Sequence, residues 1–108
     1  MAQNFRRYTA NNVGTSAATL FTADSYDTVV GISVANITGS SVNVDVYIND
    51  GSNDIYLIKD APIPAGSQLQ VLDGGAKYVV ESGDALKVVS DTASSLDVWV
   101  STVDAIST

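Results

Sequence analysis

Short apolar segments alternate with turn clusters along most of the chain, and this pattern predicts an all-β protein. The clearest segment is residues 42–49, where Val or Ile occupies every even position and polar residues or Tyr47 occupy the odd ones. Successive side chains of a strand point to opposite faces, so this alternation predicts a strand with one buried face. Residues 28–37 are almost continuously apolar, as expected of a central strand that is covered on both faces.

Six further segments show strand-like patterns between turn clusters. They are residues 18–22, 55–58, 67–72, 77–80, 85–89 and 96–103. Residues 61–66 contain two prolines, which remove ladder donors, so this segment is expected to cross between sheets rather than form a central strand. No window shows a helical period flanked by caps. About eight strands at this spacing predict a single antiparallel β-sandwich, either immunoglobulin-like or jelly-roll.

Residues 1–15 are interpreted as an N-terminal arm or lead-in, and residues 16–105 as the sandwich domain. The segment from Phe5 through Arg6 and Arg7 to Tyr8 holds two of the five basic residues, between two aromatic rings and ahead of an acidic body. Such an arm could dock onto an acidic partner or a neighbouring copy through Arg–carboxylate pairs. The alternative is a first edge strand whose charges face water.

Composition argues against most catalytic chemistry. The 108 residues include no histidine and no cysteine, so neither a Ser-His-Asp relay nor a thiolate nucleophile can be built. No glycine-rich loop joins a strand to a helix to hold a phosphate. A carboxylate pair of the glycosidase type stays open, although most of the twelve acidic residues fall in turns or on polar faces. We therefore expect a protein that is not an enzyme and has no cofactor.

Charge restricts the partners. The net charge of −7 disfavours nucleic acid and anionic membranes, both of which attract basic surfaces. The N-terminal residues lack the apolar run of a signal peptide, and no segment is long enough to span a bilayer, so synthesis in the cytoplasm is expected.

Residues 49–54 are rich in oxygen ligands of the kind calcium prefers, but they match no EF-hand and suit a tight turn, which is the favoured interpretation.

Two aromatic residues fall on the polar faces of predicted strands. Trp99, the only tryptophan, shares its face with Asp97 and Ser101, and Tyr47 shares its face with polar neighbours. Outward aromatic rings often anchor interfaces or stack on sugars, although both rings could instead lie at the edges of the sandwich. The candidate partner-binding residues are Phe5, Arg6, Arg7, Tyr8, Tyr47 and Trp99; no catalytic or metal-ligating residue is predicted.

Several stretches resemble small virion-associated proteins of tailed bacteriophages, and the similarity runs along nearly the whole chain. The stretches are residues 5–9 (FRRYT), 12–15 (NVGT), 45–51 (DVYINDG), 56–57, 61–66 (APIPAG) and 93–98 (ASSLDV). The resemblance implies a structural part of a phage particle, such as a capsid decoration protein or a neck, collar or tail component. It brings no catalytic residues.

The expected function is therefore that of a non-enzymatic bacteriophage virion structural protein, made in the host bacterial cytoplasm and located in the virion. Its expected partners are other virion proteins and copies of itself, with a trimer or ring favoured. The alternative is a carbohydrate-binding module or a receptor-binding fibre-tip domain in which Trp99 and Tyr47 present their rings to sugars.

Overall fold

The computed structural model describes residues 5–23, 27–71 and 78–103, which form nine strands and no helix. The strands are β1 (Phe5–Val13), β2 (Ala18–Thr22), β3 (Asp27–Asn36), β4 (Val42–Asn49), β5 (Asp54–Ile63), β6 (Gln68–Gln70), β7 (Tyr78–Val80), β8 (Ala85–Ser90) and β9 (Leu96–Val103). The prediction of an all-β fold is confirmed. The positions predicted as strand at 72 and 77 lie outside the described residues.

The strands form two antiparallel sheets. One has five strands in the order β1-β9-β3-β6, with β7 also paired to β3, and the other has four in the order β2-β8-β4-β5. The chain changes sheet at most connections, and among the described strands only β4 and β5 are both consecutive and paired. An immunoglobulin-like sandwich pairs more of its consecutive strands, so the order is that of a jelly roll.

The core lies between the two sheets and consists of aliphatic side chains from alternate strand positions. In β4, Val42, Val44 and Val46 are almost completely buried, as their alternation predicts. The remaining core residues are Val13, Leu20, Phe21, Ala23, Val29, Ile32, Val34, Ile63, Val80, Leu86, Val88, Leu96, Val98 and Val100. Each fully buried side chain of this size contributes about 1.5–3 kcal/mol, which makes the core the principal stabilising element.

Residues 5–13 belong to the sandwich as its edge strand β1, the alternative given above, and do not form an arm. The strand pairs with β9 from Phe5 opposite Val103 to Val13 opposite Leu96. The half-buried Tyr8 stacks on Phe21 of β2, with ring centroids 4.6 Å apart. This pairing and stacking join residues 5–13 to both sheets.

The proline-containing segment is partly strand and partly crossing. Pro62 lies within β5 opposite Asn43. Because β5 is the edge strand of the four-stranded sheet and pairs only with β4, it can accommodate a residue that has no backbone N–H. The strand therefore extends to Ile63, beyond the predicted end at residue 58. The chain then crosses to β6 through a turn in which Gly66 has a φ of 71°.

Candidate functional site

The outer face of the five-stranded sheet, the side turned away from the core, carries most of the exposed groups of interest. Alternation along β9 places Trp99, Ser101 and Val103 on this face, while Val98 and Val100 are buried. The register then fixes their neighbours on β1, since Thr9 lies opposite Trp99, Arg7 opposite Ser101 and Phe5 opposite Val103. Residues far apart in sequence thus form one continuous surface.

Trp99 is half exposed, at 50%, yet its ring is fixed by two neighbours. Its Nε1–H donates a hydrogen bond to Ser101 Oγ at 3.3 Å. The guanidinium carbon of Arg7 lies 5.3 Å from the ring centroid, within the range of a cation–π contact. Such contacts contribute about 0.5–1 kcal/mol at exposed sites, enough to favour one orientation of the indole.

A groove of about 360 Å³ runs beside Trp99. Ser33 and Ala35 of β3, which have small side chains, lie along one side of it, and Asp97 lies near one end. The lining residues are Thr9, Ala10, Asn11, Ser33, Ala35, Asp97, Val98 and Trp99. Ser33 Oγ donates to Gln68 Oε1 at 3.0 Å, and Asp97 Oδ1 accepts the backbone N–H of Asn12 at 3.2 Å. The groove therefore combines one aromatic wall with several ordered polar groups.

An apolar row crosses the same face at its other end. It comprises Phe5, Val103 and Val79 together with Thr28, which carries a hydroxyl as well as a methyl group; the four residues lie opposite one another on β1, β9, β3 and β7 in the order Phe5, Val103, Thr28, Val79. Phe5 is 75% exposed and Val79 is 67% exposed. Val79 was not identified from the sequence, because the three-residue strand β7 is too short for its alternation to assign a face.

The structure brings three of the predicted partner-binding residues together and separates the other three. Phe5, Arg7 and Trp99 share the outer face of the five-stranded sheet, whereas Arg6 and Tyr8 occupy the alternate positions of β1. Tyr8 packs against the core, so these alternate positions face the other sheet. The outer face of this sheet therefore receives only half of the predicted set.

Tyr47 lies on the outer face of the four-stranded sheet, on the opposite side of the sandwich from Trp99. The two rings therefore do not share one face of the sandwich. Tyr47 is only 9% exposed, and its ring centroid lies 5.1 Å from that of Tyr56. Burial, followed by the proximity of Asp54, raises the pKa of the Tyr47 hydroxyl above its ordinary value.

The oxygen-rich segment at residues 49–54 forms the predicted tight turn between β4 and β5. Asp50 Oδ1 accepts the backbone N–H groups of Ser52 and Asn53 at 3.0 and 2.8 Å, and Gly51 has a φ of 99°. These backbone hydrogen bonds lower the pKa of the Asp50 carboxyl.

The described ranges contain no group of three or more acidic, histidine or cysteine side chains placed to hold a metal ion. They also contain no helix long and apolar enough to cross a membrane.

No protein-family model matches the chain, and no curated protein matches it. One solved structure with a similar fold is a chain from Bacillus endospore appendages, described as a novel family of disulfide-linked pili. It superposes with a TM-score of 0.55 at 14% identity, covering 98% of this chain and 88% of that chain. At this identity the likeness concerns the fold alone.

Proposed function

We propose that this chain is a non-enzymatic structural subunit of a bacteriophage particle. It binds other virion proteins or further copies of itself through the outer face of the five-stranded sheet. The observation that carries the proposal is the apolar row, in which Phe5 and Val79 expose most of their side chains on the same face. Contiguous apolar groups exposed across neighbouring strands are typical of protein–protein contact surfaces.

The row is large enough to anchor an interface. It spans four strands, which at a strand spacing of about 4.8 Å gives a width of about 14 Å. Burial of Phe5 and Val79 against a partner would contribute about 1.5–3 kcal/mol each. Arg7 lies beside the row on a chain whose net charge is −7, so an acidic surface of another copy is an electrostatically suitable neighbour.

Three further observations support a role in a particle. Residues 5–9 and 93–98 carry part of the resemblance to virion-associated proteins, which is compatible with capsid decoration or with a neck, collar or tail position. Jelly rolls include viral capsid domains. The similar Bacillus chain belongs to disulfide-linked pili. Since this chain contains no cysteine, disulfides cannot link its copies.

The test combines particle composition with self-association. Mass spectrometry of purified particles is expected to find the chain in many copies, and sedimentation is expected to show a trimer or ring at high concentration. The double variant Phe5→Ser/Val79→Ser should weaken association and attachment to particles at least tenfold. Ile37→Ser is the matched control, because Ile37 is 48% exposed but lies outside the row.

Two results would refute the proposal. Purified particles that lack the chain would exclude the virion role, and unchanged association of the double variant would exclude the apolar row as the contact surface. Circular dichroism of the variants verifies that both substitutions leave the fold intact, as expected for exposed side chains.

A further inference from the structure

We propose that the groove beside Trp99 binds a neutral pyranose sugar. This site goes beyond the structural role proposed above and does not depend on it. A pyranose has an apolar face of C–H groups and a rim of hydroxyl groups. It therefore requires a flat aromatic wall with hydrogen-bonding groups beside it, which is the arrangement that the groove provides.

The aromatic wall is one face of the Trp99 indole. Arg7 lies over the ring and opposite Ser101 in the register, and it does not line the groove, which extends towards Asp97 and Ala35. The cation–π contact with Arg7 therefore leaves the groove side of the indole available. Because the ring is held by Arg7 and by Ser101 Oγ, little side-chain entropy is lost when a ligand stacks on it.

The polar side chains that line the groove are placed to form hydrogen bonds with the hydroxyl groups of a sugar. The Asp97 carboxylate can accept hydrogen bonds from a sugar, and charge-assisted bonds of this kind are roughly twice as strong as neutral ones. Thr9 and Asn11 line the β1 side, and Ser33 lines the β3 side. The hydrogen bond from Ser33 to Gln68 orders its hydroxyl, so this side of the site is formed before a ligand arrives.

Charge and size narrow the ligand to a neutral sugar of one or two rings. Asp97 and the net charge of −7 disfavour an acidic sugar. The volume of about 360 Å³ lies at the lower end of the range for small-molecule sites, about 300–1,000 Å³. A quaternary ammonium ligand favours a cage of several aromatic rings, whereas Trp99 is the one aromatic residue lining this groove in the described ranges.

The experiment titrates the intact chain with defined sugars. The probes are glucose, galactose, N-acetylglucosamine and their β1,4-linked disaccharides, with glucuronic acid and choline as the acidic and cationic comparisons. Because Trp99 is the only tryptophan, its fluorescence and the NMR signal of its Nε1–H report directly on the groove. At least one neutral sugar is expected to give saturable changes in both signals, while glucuronic acid and choline are expected to give none.

Variants then assign the binding to the groove. By calorimetry, Trp99→Ala should weaken the bound sugar at least tenfold, while Trp99→Phe should retain part of the affinity. Asp97→Asn should weaken it severalfold. Tyr56→Ala is the matched control, because Tyr56 is an exposed aromatic residue of the four-stranded sheet. Phe5→Ser/Val79→Ser should bind sugar normally, which separates this site from the assembly surface.

Three outcomes would overturn the proposal: no saturation with any neutral sugar at high millimolar concentration, unchanged affinity in folded Trp99→Ala, or preferential binding of choline. None of them would bear on the assembly proposal, which is measured by sedimentation and particle composition.

Discussion

Substitution of two aromatic residues in the same strand can establish whether β1 is part of the folded domain. Tyr8 and Phe5 lie three positions apart in β1, but Tyr8 stacks on Phe21 whereas Phe5 is 75% exposed. Tyr8→Ala therefore measures how strongly the strand packs against the core, whereas Phe5→Ala measures the effect of removing an exposed ring from the same strand. An undocked arm would give two similarly small effects.

The expected magnitudes differ severalfold. Truncation of a fully buried aromatic residue costs about 3–5 kcal/mol, and the stacked ring pair accounts for about 0.5–1.5 kcal/mol beyond its area. Since Tyr8 is half-buried, Tyr8→Ala should lower the free energy of unfolding by about 2 kcal/mol. At about 4 °C per kcal/mol, Tm should fall by about 8 °C. Phe5→Ala should change the free energy of unfolding by less than about 0.5 kcal/mol.

Urea denaturation followed by far-ultraviolet circular dichroism provides the measurement, with a constant m-value indicating that the unfolding transition is otherwise unchanged. Effects below about 0.5 kcal/mol for both substitutions would show that β1 is not docked. The segment 5–8 would then have to be considered an arm again, and the apolar row would lose Phe5.

Two further predictions concern polar groups. Buried Asn36 donates from Nδ2 to the carbonyl oxygens of Ser40 and Ile63 at 2.7 and 2.9 Å. Asn36→Ala should therefore lower the free energy of unfolding by about 2–4 kcal/mol in urea, and a loss below about 0.5 kcal/mol would contradict this reasoning. The raised pKa of Tyr47 means that the folded state holds this proton more tightly than the unfolded state, whose pKa is near 10.0. This contribution to stability is present below pH 10 and is lost as the pH rises through the folded pKa. Between about pH 9 and pH 11, Tyr47→Phe should lose less stability than the parent chain in urea unfolding, and parallel losses would refute the assignment.

Sequence reasoning succeeded where one strand carries its own pattern. The bounds of β4 and β9 match the predicted segments 42–49 and 96–103, because alternation over eight residues is a local property. It failed for β1, whose two arginines and two adjacent asparagines obscure the alternation. Its pairing with β9 joins residues about ninety positions apart, and this pairing is not encoded in any local window.

The side chains of the candidate site also depend on pairing between distant strands, which the sequence pattern does not show. Alternation placed Trp99 and Tyr47 on outward faces, but it could not assign their strands to different sheets. The contact of Trp99 with Arg7 and the placement of Ser33 beside the groove both follow from the register of three strands. A single sequence identifies the aromatic residue, whereas the tertiary pairing determines which polar groups accompany it.

The apolar row and the sugar-binding groove share one face, so their separation determines whether both can be used together. Val103 and Trp99 are four residues apart on β9, which corresponds to about 13 Å at about 3.3 Å per residue. A standard interface of about 800 Å² per partner has a radius of about 16 Å. Centred on the row, such an interface would extend just beyond the contact between Arg7 and Trp99. Arg7, which lies opposite Ser101 and therefore closer to the row, would then fall inside the interface, and Trp99 would lie near its rim. Asp97 is six residues from Val103, about 20 Å at about 3.3 Å per residue, so its end of the groove would stay open to solvent.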